Sequence, residues 1–188
     1  MGKNNAKLML GYSYQYTQYQ RLYAENKDFP NDGLGYDNLG SGSFAKDEGE
    51  VCMESYRDDN KLISFFGRLS YDYDGKYLMT ASIRREGSSK FGINNKWGNF
   101  PAVSIGWRLS QETFMEGSRS WLNDLKLRAD YGVTGNQDFG NYLSIATMQG
   151  FGYYNWGGKD FQVWGPANNV NPDLKWEKAK NWNVGVDF

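Results

Sequence analysis

The stretch that indicates the fold most directly is residues 67–89, GRLSYDYDGKYLMTASIRREGSS. Apolar and polar residues alternate on both sides of Asp74-Gly75-Lys76, a combination typical of two strands joined by a tight turn. Pairing Tyr73 with Tyr77 across this turn predicts a register in which the two faces stay mostly separate. A slip of one residue would mix them, so the register is strongly specified.

The two faces of this hairpin have different chemistry. One is apolar and aromatic, and the other carries charges and hydroxyl groups, with Phe66 and Leu78 as its exceptions. The apolar face consists of Leu69, Tyr71, Tyr73, Tyr77, Met79, Ala81 and Ile83, and the polar face includes Arg68, Ser70, Asp72, Thr80, Ser82 and Arg84.

The composition points to β-structure. The chain has 188 residues, of which 17% are aromatic, and it contains 23 glycines, which favours strands over helix bundles. Its mean hydropathy of -0.74 and the absence of any apolar run of roughly 20 residues exclude a transmembrane helix. They do not exclude a transmembrane β-barrel, because lumen-facing polar residues lower the mean hydropathy of each strand. A net charge of -1 suggests no nucleic-acid partner.

Alternation along the rest of the chain predicts an all-β fold, an antiparallel up-and-down meander of about six strands. The segment from Glu25 to Asp59, with ten acidic and three basic residues, reads as part of a solvated loop. The predicted strands are 6–19, 62–73, 77–85, 100–109, 124–133 and 175–188, with long loops at 20–60 and 134–174.

Connection lengths and aromatic positions favour a membrane setting. Long and short connections alternate, which places the long ones at one end of a meander, as in outer-membrane barrels. Rings also gather near strand ends, as in interfacial girdles. The alternative is a soluble β-sandwich that buries the same face. The rings concerned are Tyr71, Tyr73 and Tyr77 beside the tight turn, Trp107 near the other short connection, and Tyr14 and Tyr16 at the opposite end.

A barrel would divide the strand residues into two sets. The set predicted to face lipid is Leu69, Tyr71, Met79, Ile83, Val103, Ile105, Trp107, Leu127, Val184 and Val186. The set predicted to face the lumen is Arg68, Arg84, Lys126, Arg128 and Asp130, whose default role is a mutually neutralising polar wall.

The sequence offers little for catalysis. It has no histidine, and Cys52 is the only cysteine, so neither a zinc site nor a His-activated nucleophile is expected. Residues 40–45 match the sequence of a dinucleotide-binding motif, but no predicted strand precedes them and no predicted helix follows them, as that motif requires. The remaining acidic candidates are better explained by ordinary structure. A solvated loop accounts for Glu48, Glu50, Asp58 and Asp59, and a hairpin turn accounts for Asp72–Gly75. We therefore expect that the protein has no enzymatic activity and binds no cofactor.

The loop at 150–165, GFGYYNWGGKDFQVWG, carries a concentration of aromatic rings among glycines. Such rings can stack on sugars or on apolar peptide groups, or they can pack on one another to hold the loop shut. The substrate-contact candidates are Tyr153, Tyr154, Trp156, Phe161 and Trp164.

Four segments, in order, resemble the SusC/RagA-type TonB-linked outer-membrane transporters. They are FFGRLSYDYDGKYLMTASIRREGSSKFG (65–92), WGNFPAVSIGWRLSQETFM (97–115), WLNDLKLRADYGVTGNQ (121–137) and NPDLKWEKAKNWNVGVDF (171–188). The resemblance implies a section of a barrel of about 22 strands, from a Bacteroidetes outer membrane. It also implies import of glycans or peptides together with a SusD-like lipoprotein, energised by the TonB complex.

The family's signal peptide, TonB-contacting segment, plug and remaining strands have no counterpart in these residues. We therefore expect a fragment of a larger protein that contacts TonB through parts outside this sequence. The alternative function is a soluble carbohydrate-binding β-sandwich with aromatic loops.

Overall fold

The computed structural model describes residues 2–29, 31–34, 37–42, 52–118 and 120–188, without the side chains of Leu34 and Cys52. These residues form strands joined by turns and short 3-10 helices. No described helix has both the length and the apolar character needed to cross a membrane. The strands are β1 (Asn4–Glu25), β2 (Cys52–Tyr73), β3 (Tyr77–Ser88), β4 (Trp97–Arg108), β5 (Lys126–Asn136), β6 (Met148–Trp156), β7 (Lys159–Pro166) and β8 (Glu177–Asp187).

Six strands form one sheet in the order β1-β2-β3-β4-β5-β8, and β6 and β7 form a second sheet. The pairs from β2 to β5, and the β5–β8 pair, are antiparallel, so the predicted meander is confirmed. The β2–β3 register is also as predicted, with Tyr73 opposite Tyr77 and Leu69 opposite Ala81. At the turn, Asp74 and Gly75 have positive φ angles of 55° and 67°. Glycine adopts such an angle without strain.

Both predicted long loops are partly wrong. β2 begins at Cys52 and β1 continues to Glu25, so the first connection is shorter than 20–60. The many charged residues at these strand ends favoured a loop in the sequence analysis, but charged side chains do not prevent pairing of the backbone.

The second loop, 134–174, contains the β6–β7 hairpin. Its two glycines at positive φ, Gly157 and Gly158 at 60° and 78°, match the left-handed positions of a two-residue hairpin turn.

The chain divides into two compact units, Met1–Gln15 with Lys61–Phe188, and Tyr16–Asn60. Within the smaller unit, the rings of Tyr19 and Tyr56 lie 6.2 Å apart. In the larger unit, the connections at 74–76 and 109–125 lie at one end of the sheet, and those at 89–96 and 137–176 lie at the other. We call these the turn end and the loop end.

A small core lies at the loop end of the larger unit. Phe91, Phe100 and Trp176 are 0%, 7% and 6% exposed, and the rings of Phe91 and Phe100 both contact the Trp176 ring. The pairing of β4 with β5 extends only from the Arg108 and Lys126 pair to the Ala102 and Gly132 pair. The core lies beyond the last pair, where the two strands separate. It ties the connections at the loop end together.

Candidate functional site: a sheet with one apolar and one polar face

The ten side chains predicted to face lipid share one face of the six-stranded sheet. One row of cross-strand partners across this face consists of Tyr71, Met79, Ile105, Ala129 and Val184. The ten side chains are between 37% and 69% exposed. A soluble β-sandwich would bury such a face under a second sheet. Instead it lies open in the described part of the chain.

The five charged residues predicted to face the lumen share the opposite face. Arg84 forms an ion pair with Glu86 at 2.6 Å, and Asp187 forms ion pairs with Lys126 at 3.6 Å and with Arg128 at 3.5 Å. Several of the charges are therefore neutralised by neighbours, as a polar wall requires. One row across this face consists of Ser70, Thr80, Ser104, Asp130 and Asn183.

Glu112 anchors the aromatic side chains at the turn end. Its Oε1 accepts hydrogen bonds from the Tyr77 hydroxyl at 2.7 Å and the Trp107 indole N–H at 3.0 Å. Its Oε2 lies 3.4 Å from Lys76 Nζ. The rings of Tyr77 and Trp107 stack with centroids 6.3 Å apart. Both rings thus lie on the apolar face with their polar atoms held at the edge of the sheet, which is the arrangement of an interfacial girdle.

These contacts predict a pH dependence. The Tyr77 hydrogen bond above all, with those from Trp107 and Lys76, holds the pKa of Glu112 below its ordinary value of 4.5. A lowered pKa in the folded state contributes stability above the unfolded-state pKa and loses it as the pH falls through the folded-state value. We expect Glu112→Gln to remove this acid-dependent loss. The measurement is the urea midpoint of the complete protein in lipid vesicles at pH 7 and at pH 4.

The matched control is Glu116→Gln, because Glu116 is an exposed carboxylate in the same connection. It should leave the difference between the two midpoints as in the wild type. An unchanged difference in the Glu112→Gln variant would contradict the assigned role.

The loop-end core holds the connections at that end in place. The indole N–H of Trp176 donates to the Lys96 carbonyl at 3.1 Å, and the Gly92 N–H donates to the Leu174 carbonyl at 3.1 Å. A side chain at Gly92 would collide with the Pro172 carbonyl, so this close approach requires glycine. The segment before β8 is thereby held against the β3–β4 connection.

The hairpin of β6 and β7 presents the five aromatic candidates. Tyr154 lies opposite Phe161, and its ring stacks on that of Trp156 with centroids 6.2 Å apart, so these three share one face. Alternation places Tyr153 and Trp164 on the other face. All five side chains are 52% to 72% exposed. The hairpin therefore carries a three-ring surface, Tyr154, Trp156 and Phe161, which we call the hairpin platform.

A single amide holds the base of this hairpin. Asn168 Nδ2 donates to the carbonyls of Tyr142 at 3.3 Å and Ile145 at 3.1 Å. Its Oδ1 accepts the N–H and the hydroxyl of Thr147 at 3.2 Å and 2.8 Å. Sequence reasoning missed Asn168, as it missed Glu112, because one polar residue in a polar loop gives no periodic signal.

The described residues show no group of three or more metal-ligating acidic, Cys or His side chains. Residues 43–45 of the glycine-containing pattern, Glu48, Glu50 and the Cys52 side chain lie outside the described residues.

Comparison with known proteins identifies the family. The sequence model of the "TonB dependent receptor-like, beta-barrel" family matches residues 2–188. The chain belongs to this family. A TonB-dependent receptor of Formosa agariphila is 48% identical over 127 residues, covering 68% of this chain and 12% of the relative. The TonB-dependent receptor SusC of Bacteroides thetaiotaomicron is 38% identical over 138 residues, covering 71% of this chain and 14% of SusC.

Solved structures show the same fold. The RagAB peptide transporter superposes with a TM-score of 0.84 at 29% identity, covering 98% of this chain and 19% of the transporter chain. In its closed-closed state RagAB gives a TM-score of 0.85, with 99% and 20% coverage. The chain thus spans a fifth or less of the receptors that it matches. The six-stranded sheet is part of a receptor barrel and is open in these residues.

Proposed function

We propose that this chain supplies wall strands of an outer-membrane TonB-dependent importer. The observation that carries the proposal is the apolar face that nothing described covers, opposite a polar face with paired charges, in a member of this receptor family. Lipid would cover the apolar face, and a wet lumen would solvate Arg68, Arg128 and Asp130. The wall of a membrane barrel needs one face for each of these environments.

The orientation follows from the two ends of the sheet. The turn end carries the stacked Tyr77 and Trp107 beside the tight turn at 74–76, a combination typical of the periplasmic side of such barrels. The connection at 137–176, the longest in the larger unit, lies at the opposite end. The loop end, with the β6–β7 hairpin, would then lie outside the cell.

Glycans or peptides are the substrates that we propose, taken up with a SusD-like lipoprotein and energy from the TonB complex. Two observations support this: the likeness to SusC and to the RagAB peptide transporter, and the hairpin platform. Its flat rings can stack on a sugar or on an apolar peptide side chain. The residues suggest binding and passage rather than catalysis, so we expect no hydrolysis of either substrate.

Labelling of single cysteines in intact cells tests the orientation. In the complete receptor with every native cysteine replaced by serine, Cys52→Ser among them, we expect Lys159→Cys, in the exposed hairpin, to react with a membrane-impermeant maleimide. Gly117→Cys, in the turn-end connection where no atom lies within 4 Å of an added Cβ, should react only after the outer membrane is permeabilised. Equal labelling of both in intact cells, or recovery of the receptor in the soluble fraction, would refute the proposed function.

A further inference from the structure

One charged side chain interrupts the apolar face where β2, β3 and β4 pair. Arg85 lies opposite Phe65 and Asn99, on the same face as Ile83, which is two residues away. Its neighbour Arg84 lies on the polar face. None of the ion pairs among the described residues includes Arg85. A cation on an apolar face that lipid would cover therefore needs a partner from outside this part of the chain.

An aromatic ring lies beside this cation, and a second ring lies behind the first. The guanidinium carbon of Arg85 lies 5.3 Å from the centre of the Trp97 ring. Trp97 in turn stacks near Phe65, with centroids 6.3 Å apart and an interplanar angle of 25°. A Cβ on Gly87 would lie 3.0 Å from the Trp97 ring, so the glycine lets the indole lie against the backbone. We call Arg85, Trp97 and Phe65 the Arg85 platform.

This geometry leaves the guanidinium able to bind an anion. The guanidinium makes a cation–π contact with Trp97, and no ion pair among the described residues uses its N–H groups. Its N–H groups point outward in the plane of the group, in the fork that matches two oxygens of a phosphate. Lysine could not offer the same paired geometry.

The depth of the Arg85 platform points to a lipid headgroup. From Tyr77, in the girdle at the turn end, to Arg85, β3 advances about 26 Å along its own axis. With a strand tilt of about 40°, this corresponds to about 20 Å along the membrane normal, in an apolar band about 25 Å tall. The long side chain of Arg85 can therefore reach the headgroup level at the loop end.

We propose that the Arg85 platform binds the phosphate group of a lipid in the outer leaflet. The guanidinium binds the phosphate, and the acyl chains lie along the apolar residues below it, such as Ile83 and Val103. This inference rests on the proposed function, because it requires the apolar face to contact lipid and the loop end to face outward.

Native mass spectrometry of the complete receptor, purified in detergent and mixed with diphosphoryl lipid A, tests this site. We expect Arg85→Gln to bind lipid A about tenfold more weakly than the wild type, since one charge-assisted contact is lost. Arg85→Lys should be intermediate, and the control Arg68→Gln, on the polar face, should bind as the wild type does. Dephosphorylated lipid A should bind all four proteins equally weakly.

Three outcomes would overturn the inference: equal lipid A binding by the wild type and Arg85→Gln, equal weakening by Arg68→Gln, or displacement by 10 mM inorganic phosphate, about the level expected to saturate a simple anion site. Insertion of each variant into lipid vesicles is measured in parallel. A receptor that inserts but shows no Arg85-dependent binding contradicts this inference alone. A receptor that does not insert contradicts the proposed function as well.

Discussion

Replacing Phe100 with alanine is expected to lower the free energy of unfolding of the complete receptor by about 3–5 kcal/mol, the usual cost of deleting a buried phenylalanine ring. Phe100 is 7% exposed and contacts Trp176 edge-on, with centroids 5.2 Å apart. Its ring also lies against the backbone of Gly98 and Gly135. These neighbours belong to three different strands or connections, so a cavity here cannot close by moving one side chain.

Urea unfolding in lipid vesicles, followed by tryptophan fluorescence, measures this loss. The matched control is Phe114→Ala, because Phe114 is 67% exposed in the turn-end connection and should cost about 0.5 kcal/mol or less. Phe100→Leu, which retains more of the volume, should fall between the two. Similar losses for Phe100→Ala and Phe114→Ala would mean that the loop-end core does not stabilise the barrel.

The β2–β3 hairpin was predictable from sequence because its information is local. Apolar and polar residues alternate with a period of two on both sides of a turn that contains Gly75. A shift of the register by one residue would mix the two faces, so only one arrangement fits both the alternation and the turn. The same alternation assigned all ten apolar and all five charged candidates to opposite faces, which the register of the sheet reproduces. Which medium each face contacts remains a prediction, since lipid and a second sheet select the same residues.

Contacts between distant residues could not be predicted in this way. Glu112 lies 35 residues beyond Tyr77, and Trp176 lies 80 residues beyond Lys96, whose carbonyl it contacts. No periodic pattern links such positions. The β6–β7 hairpin was missed for a different reason, since aromatics and glycines without regular alternation resemble a loop. Its turn residues, Gly157 and Gly158, were the signal available.

Replacing Val103 with arginine is expected to destabilise the inserted barrel by about 2–4 kcal/mol, the range for a cation on the lipid face near the bilayer centre. Val103 lies opposite Ala81 and Tyr131 in the middle of the sheet, away from both ends. An arginine there must pull lipid headgroups or water into the apolar band, because the residues opposite it on the apolar face, Ala81 and Tyr131, offer no carboxylate.

The matched control is the same substitution one residue later. Ser104 lies on the polar face opposite Thr80 and Asp130, so an arginine in Ser104→Arg would meet a carboxylate and, in a barrel, water. We expect this variant to cost less than about 1 kcal/mol, within the range for a surface charge pair. Folding yield and urea midpoint in vesicles, measured for both variants, give the difference. If both are equally destabilised, or if Ser104→Arg is the worse, then the apolar face does not contact lipid and the barrel-wall assignment of this sheet is wrong.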